Sequence, residues 1–327
     1  MNPPDIYRQY PFNALAYLTR GIICTQRKLF FRPIDPQFDS VDTTNDAISE
    51  AILSAKPFMA ARFGSVEMDA FSRRFDNLHG SILSKSLGLL TGRNGPWWYD
   101  NSVRRSMNAS AGFFPPTNAA FDRFYDRIIR DCTLMDINCS WYGGEERLKA
   151  ALYPNARTCN YSGFSPFTAA RPWTHALKSK KVLLIHPFAL TIRRQYAHRQ
   201  DLFGDPEFLP DFTLLTYKPV VSHCAVQTDF QTWFDALEFM EREISALDFD
   251  VAIIGAGAYG MSIAAHIKRM GRKAIHFGGA TQILFGIKGQ RWDRTDTAKL
   301  LYRESWTRPD ESERPARSDM MENHCYW

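Results

Sequence analysis

The chain has little of what would mark a metal-built, disulfide-built or membrane-spanning protein. No two of its six cysteines, at 24, 132, 139, 159, 224 and 325, stand in C-x-x-C spacing. That excludes the common zinc arrangements. The cysteines read as buried or free thiols of a reducing compartment rather than as disulfides. No segment reaches the roughly 18 apolar residues that a membrane helix needs. "FNALAYLTRGIIC" near the start is apolar, but Arg20 interrupts it and no small-residue cleavage site follows. A cytoplasmic protein is expected, with contact at the inner face of the membrane left open. Charge of one sign is not concentrated either: 40 Lys and Arg sit among 35 Asp and Glu, for a net charge of +5. This excludes a nucleic-acid footprint. It leaves room for a basic pocket that takes a phosphorylated small molecule, or for weak attraction to an anionic membrane. Internal repeats and low-complexity tracts are absent, and no Ser-His-Asp constellation can be placed.

What is present is a large apolar chain, 327 residues with 45% hydrophobic and 14% aromatic content. Residues 1–44 mix aromatics, prolines and basic residues and read as an arm on the main body. A helix is expected from Asn45 to Ala55, a buried strand in "PFMAARFG", and a helix from about Ser65. Residues 95–175 are rich in Trp, Tyr, Phe and Pro and read as an inserted lobe or a cap over a site, with a helix at Asn118–Arg130. The second half alternates more clearly. Strand Val182–Ile185, a helix in "LTIRRQYAHRQDLF", a strand in "FTLLTYKPVV" and an amphipathic helix over 229–247 follow one another. The helix would be capped by Thr228 or Asp229. Strand Val251–Ile254, helix Tyr259–Met270 and strand Ala274–Phe277 complete the series. Alternation of this kind predicts an α/β fold with a parallel, Rossmann-like sheet flanked by helices. A charged tail over 305–327 is expected to dock.

Two stretches carry candidate chemistry. "DVAIIGAGAYGMSIAAHIKRMGRKAIHFGG" holds Gly255-x-Gly257-x-x-Gly260 between a strand and a helix. Glycines there let backbone approach a phosphate at a helix N-terminus, or let helix pack closely on sheet. A nicotinamide dinucleotide would need an acidic residue at the end of the next strand. His276 stands there instead. The second stretch, "ARFGSVEMD", places Arg62, Glu67 and Asp69 just after a strand, where ligands of open α/β sheets bind. Glu67 could ligate a divalent cation. It could equally stabilise the start of its own helix. Around the same edge lie His186 and Pro187 with Phe188, Thr191, Arg193 and Arg194. His186 would serve as hydrogen-bond donor or as base near neutral pH. Ala256 and Tyr259 of the glycine turn, Gly278 and Gly279 after "AIHF", and Lys288 of "FGIKGQRW" join them. Tyr259 could stack on a base or sugar, or cap the helix. Trp97, Trp98, Tyr99, Trp141 and Tyr142 are a sugar-stacking platform or packing. Asp100, Glu145 and Glu146 are the remaining acidic candidates for a base.

These stretches resemble the bacterial GT-D-like proteins, related to the DUF1792 glycosyltransferases of surface-glycan assembly. "ARFGSVE" resembles that family's Arg-Phe-Gly-Asp-x-Glu segment. "KKVLLIHPF" resembles the opening of its nucleotide-binding half, and "DFDVAIIGAGAYGMSIAAHIKRMGRKAIHFGGATQILFGIKGQRW" its last βαβ unit. "ERPARSDMMENHCYW" resembles the tails of one branch. The resemblance implies a GT-D-type domain over 45–304, with the aromatic lobe at about 95–175 and the nucleotide-binding half at about 180–293. It implies transfer of a sugar from a nucleotide-diphosphate donor, a UDP-sugar first, to a glycan or lipid-linked glycan acceptor. The family's Asp-x-Glu motif binds a divalent metal, manganese or magnesium. Carried over, its Glu falls on Glu67 and its Asp on Ser65, a neutral residue. Metal could then bind weakly, gain Asp69 as a ligand, or be dispensed with. Gly64, Ser65 and the turns at 186–192 and 255–260 would line the donor diphosphate. An NAD(P)-dependent oxidoreductase and a non-catalytic nucleotide- or glycan-binding protein of the same fold are the rival readings.

Overall fold

Strands β4 (Lys181–Ile185, KVLLI) and β6 (Val251–Ile254, VAII) are almost wholly apolar, and every residue but Lys181 is buried. Such runs suit a parallel sheet covered on both faces. The computed structural model describes residues 38–90, 96–141, 145–223, 226 and 228–314. Its other strands are β1 (Phe58–Ala61), β2 (Ile137–Cys139), β3 (Arg157–Cys159), β5 (Thr213–Tyr217) and β7 (Lys273–His276). All seven run parallel in the order β3-β2-β1-β7-β6-β4-β5. The fold is α/β and Rossmann-like.

Side-chain alternation along the strands divides the core in two. Met59, Ala61, Leu183, Ile185, Ala252, Ile254 and Ala274 face one helical layer. Phe58, Ala60, Val182, Leu184, Val251, Ile253 and Ile275 face the other. In chain order the longer helices are α1 (Val41–Leu53), α2 (Ser65–His79), α3 (Ile82–Leu90), α4 (Asn101–Ala109), α5 (Asn118–Cys132), α6 (Glu145–Leu152), α7 (Ala189–Ala197), α8 (Trp233–Ser245), α9 (Gly260–Arg269) and α10 (Asp296–Leu301). The first layer holds α2, α4, α5, α6, α8 and α9, through residues such as Phe71, Met107, Phe124, Leu148, Trp233 and Ile263. The second holds α1, α7 and α10, with the turns around Trp173 and Ile283.

Several expectations change. The stretch 95–175, read as an inserted lobe or a cap, contributes β2 and β3 to the common sheet. Those strands are only three residues long, too short to show a period. The helix read over 229–247 begins later. Thr232 caps it in a capping box with Asp235, so Phe230 lies outside it. At the start of the expected tail, Trp306 is buried and its Nε1–H donates to the Leu202 carbonyl at 2.6 Å. Most of the expected arm (1–37), the tail beyond 314, Tyr142 and three of the cysteines (24, 224 and 325) lie outside the described residues. Cys132, Cys139 and Cys159 are free and buried.

One buried amide ties the second layer together. Asn45 of α1 donates through Nδ2 to the carbonyls of Val41, Gly163 and Ser165, and its Oδ1 accepts the Trp173 N–H at 3.1 Å. Asn45→Ala should lower unfolding free energy by about 2–4 kcal/mol, since it leaves buried carbonyls unpaired. Asn45→Asp should cost more, because a carboxylate would face three carbonyl oxygens. Urea denaturation of the three proteins decides it. An Asp variant as stable as the Ala variant would refute this reading of the amide.

Candidate functional site

The chain leaves neighbouring strand ends on opposite faces of the sheet. After β4 it enters α7 in the second layer, and after β6 it enters α9 in the first. After β1 it enters α2 in the first layer, and after β7 the turn at 278–284 in the second. Crevices open at such reversals, and ligands of open α/β sheets bind in them. Several of the candidates from the sequence fall at these two places.

At the β4/β6 reversal the fit is tight. A Cβ on Gly255 would stand 2.6 Å from His186 Cδ2 and 2.7 Å from the Gly278 carbonyl oxygen. His186 is 4% exposed, and burial pushes its pKa down to about 3. Its Nδ1 accepts the Phe188 N–H at 3.0 Å, which leaves the ring proton on Nε2. His186 is therefore a neutral donor and not the base near neutral pH that the sequence suggested. The second glycine, Gly257, has φ +53° and lies against His223, while the Ala258 N–H donates to the Ala111 carbonyl at 3.3 Å. The segments around Ala111 and Ser222 thus lie over the turn, and Gly255, Ala256, Tyr259 and Gly260 are buried. Tyr259 stacks on Trp233 with ring centroids 5.0 Å apart and meets Ser222 Oγ at 3.0 Å. Its ring belongs to the core and is not available to a base or sugar.

The third glycine explains itself through β7. The His276 imidazole occupies the space where a Cβ of Gly260 would be. Burial, then the nearby Arg62 guanidinium, lower the His276 pKa to about 3. The position that a ribose-binding acid would need carries a buried neutral ring turned onto its own helix. All three glycines thus make room for protein groups, which is the close-packing reading of the motif.

The β1/β7 reversal is more open. Gly278 has φ +68°, and its missing Cβ leaves room for the Arg62 guanidinium, whose Nε and NH2 would each be 2.6 Å from it. Arg62 is half-buried, lies 5.2 Å from the Trp141 ring centroid, and its buried Nε has no hydrogen-bond partner among the described residues. Trp141 is 46% exposed and is held from two sides. Its Nε1–H donates to the Phe63 carbonyl at 2.8 Å, and its backbone N–H donates to Glu145 at 3.2 Å. Gly64 caps α2, Ser65 opens it, and the Glu67 carboxylate folds back over Gly64. That places a negative charge at the helix N-terminus, the position of the second partner in a capping box.

The remaining candidates lie elsewhere. Because α2 is helical from Ser65, Asp69 points away from Glu67 and pairs with Arg73 at 2.9 Å, so it does not compensate for Ser65. The N-terminus of α7 is already filled. Glu313 accepts from the Leu190 N–H at 2.7 Å, the Thr191 N–H at 3.0 Å and Thr191 Oγ1 at 2.5 Å. The chain's own carboxylate thus takes the seat expected for a diphosphate at 186–192. Arg194 pairs with Asp310, and Arg193 is exposed. Pro187 is half-buried and Phe188 buried, its ring 5.0 Å from that of His186. Lys288 lies over Tyr302 in a separate open pocket with Asp201 and Arg303, away from the strand ends. Trp97, Trp98 and Tyr99 are buried, as packing would have them, and Asp100 caps α4. Gly279, at the β7 turn, is half-buried. Sequence reasoning missed Glu313 altogether. A lone acid in a charged tail gives no signal, since its partners are backbone N–H groups 122 and 123 residues away.

A divalent cation would find one carboxylate here, Glu67. Among the described residues no group of three or more His, Cys, Asp or Glu converges. A cation held by protein groups alone would need more carboxylates than Glu67 offers, whereas magnesium or manganese can be held by one or two carboxylates together with substrate phosphates and water. No protein-family model, curated protein or solved structure matched the chain.

Two measurements test the site's electrostatics. The unfolded chain protonates a histidine near pH 6.5, whereas folded His186 and His276 resist protonation down to about 3. Stability is therefore full above pH 6.5 and falls as pH drops from 6.5 towards 3. At pH 5 each histidine should have cost about 2 kcal/mol, and His276→Asn should flatten the slope. Stability unchanged between pH 7.5 and 5 would rule this out. Glu313→Gln should separately lower stability by about 1–3 kcal/mol at neutral pH, because it weakens a charged cap on α7. An unaltered denaturation midpoint would show that the carboxylate does not hold the tail.

Proposed function

We propose that this chain is a glycosyltransferase of GT-D-like type. It would transfer a sugar from a nucleotide-diphosphate donor to a glycan hydroxyl in bacterial surface-glycan assembly. The observation that carries the reading is Arg62, with its buried, unpartnered Nε at the open reversal between β1 and β7. A guanidinium in that state is built to receive an anion, and a diphosphate offers several oxygens to it. The donor diphosphate would lie against Arg62 and the glycine turn at 278–279, rather than across the covered turn at 255–260.

In sugar transfer the acceptor oxygen bonds to the anomeric carbon as the bond from that carbon to the diphosphate breaks. Negative charge then builds on the leaving diphosphate. Arg62, fixed by Trp141 and Gly278, would stabilise that charge without reorganising, and this differential stabilisation is what speeds the step. His186 would contribute its Nε2–H as a donor. Glu67 is the nearest acid of the motif and the candidate to take the acceptor proton. With one carboxylate in reach, the cationic role assigned to metal in the family would rest on Arg62.

A second reading is a nucleotide- or glycan-binding protein without turnover. It is favoured by Glu67, whose carboxylate already serves its own helix. A thermal-shift panel of UDP, GDP, CDP, NAD and S-adenosylmethionine, each with and without manganese, separates the readings. A nucleoside diphosphate at 100 times its Kd should stabilise by about 2.7 kcal/mol and raise Tm by several degrees. Arg62→Ala should abolish that shift. If no nucleoside diphosphate raises Tm, the proposal fails, and a shift with NAD alone would favour the oxidoreductase reading over it. Donor hydrolysis at equal rates in wild type and Glu67→Gln would remove Glu67 from the chemistry.

A further inference from the structure

Behind Trp141 lies a second cavity that the strand-end site does not use. It has a volume of about 300 Å³, at the lower end for small-molecule pockets, and lies between α6 and strands β2 and β3. Asn138, Thr158, Ser140, Glu145, Glu146 and Lys149 line it with Ala150 and Pro154, and most of the surface they turn to the cavity is carbon, with a few polar atoms among it. Asn138 and Thr158 are register partners on adjacent strands, so they stand about 4.8 Å apart on one face. Asn138 is fully buried, and its Nδ2 donates to Glu145 at 3.2 Å, which fixes the amide orientation. Its Oδ1 is then left without a partner, as is Thr158 Oγ1. Two neighbouring polar atoms, both buried and unfilled, are costly unless something meets them.

The chemistry of the lining selects the ligand. Two glutamates against one lysine disfavour an anion. The lysine and the neutral floor disfavour a bare cation. A polyhydroxylated ring meets every demand. Adjacent hydroxyls can donate to Asn138 Oδ1 and exchange a hydrogen bond with Thr158, while the C–H face lies on Ala150 and Pro154. We propose that this cavity binds a single sugar ring, held by Asn138 and Thr158. Trp141 joins it to the strand-end site, since its N–H bonds Glu145 on one side and its ring lies under Arg62 on the other. As an acceptor subsite for sugar transfer it rests on the function proposed above; as a sugar pocket it stands alone.

The test uses methyl glucoside, methyl galactoside and N-acetylglucosamine as probes, titrated by ligand-observed NMR against the full chain. Thr158→Val removes the unpartnered hydroxyl at nearly constant volume. Ala150→Trp fills the mouth from an exposed helix position. The expected result is millimolar binding of at least one probe, weakened tenfold or more by Thr158→Val and lost in Ala150→Trp. The Tm of Ala150→Trp should stay unchanged and that of Thr158→Val should hold or rise, since a buried unpartnered hydroxyl is removed, and any Tm shift with a nucleoside diphosphate should persist in both. No binding by wild type, or binding that either substitution leaves intact, overturns the proposal and makes the cavity a water site only. Sugar binding without any nucleoside-diphosphate shift would instead sink the glycosyltransferase reading and leave the pocket standing.

Discussion

Burial of both faces of a parallel sheet governs this structure. The interior strands have no exposed side, so their ladders are continuous and their residues are apolar. Along the apolar strands β1, β4 and β6 polar side chains can therefore act only where the strands end, and the parallel sheet brings those ends to one edge. At that edge backbone groups run out of ladder partners, and loops from both layers crowd together. The geometry there is set by competition for space as much as by chemistry.

The glycines show this competition. Gly255 yields to His186, Gly260 to His276, Gly278 to Arg62 and Gly64 to Glu67. The first three pair a missing side chain on one turn with a large polar one from another segment, whereas Gly64 makes room for Glu67 of its own helix. A spacing that suggests a dinucleotide site is, at Gly255 and Gly260, the trace left by two histidines. The same geometry keeps both rings neutral, because no water is left to solvate a charge.

Legibility followed period and length. The helices after β1, β4 and β6, and strands β4, β6 and β7, were readable because apolar spacing persists through them. Strands β2 and β3 were not, because three residues cannot display an alternation. The candidate residues were found where the strands end, and Arg62 and Glu67 were picked out as charges following a buried strand. What the sequence could not show was which seats were taken. Nothing in "ALTIRRQYA" or "ERPARS" signals that Glu313 reaches the N-terminus of α7, since that contact depends on how a distant segment folds back. Likewise the register partner of Asn138 is Thr158, two short strands that no pattern announced.

Two anion-binding seats at the strand edge thus have opposite fates. The helix N-terminus after β4 holds a carboxylate of the same chain, satisfied by three hydrogen bonds. The guanidinium after β1 lies against an exposed indole, with a buried donor still unpaired. A protein that closes one such seat and leaves the other open has unequal costs at the two. An incoming anion would have to displace Glu313 at the first, whereas at the second it would satisfy a donor already stripped of water. On the proposed reading, that asymmetry favours the β1/β7 side for the donor diphosphate. Trp141 connects that side to the cavity behind it. The link runs through Glu145, which lines the cavity and accepts the Trp141 backbone N–H, while the indole of that residue lies against Arg62.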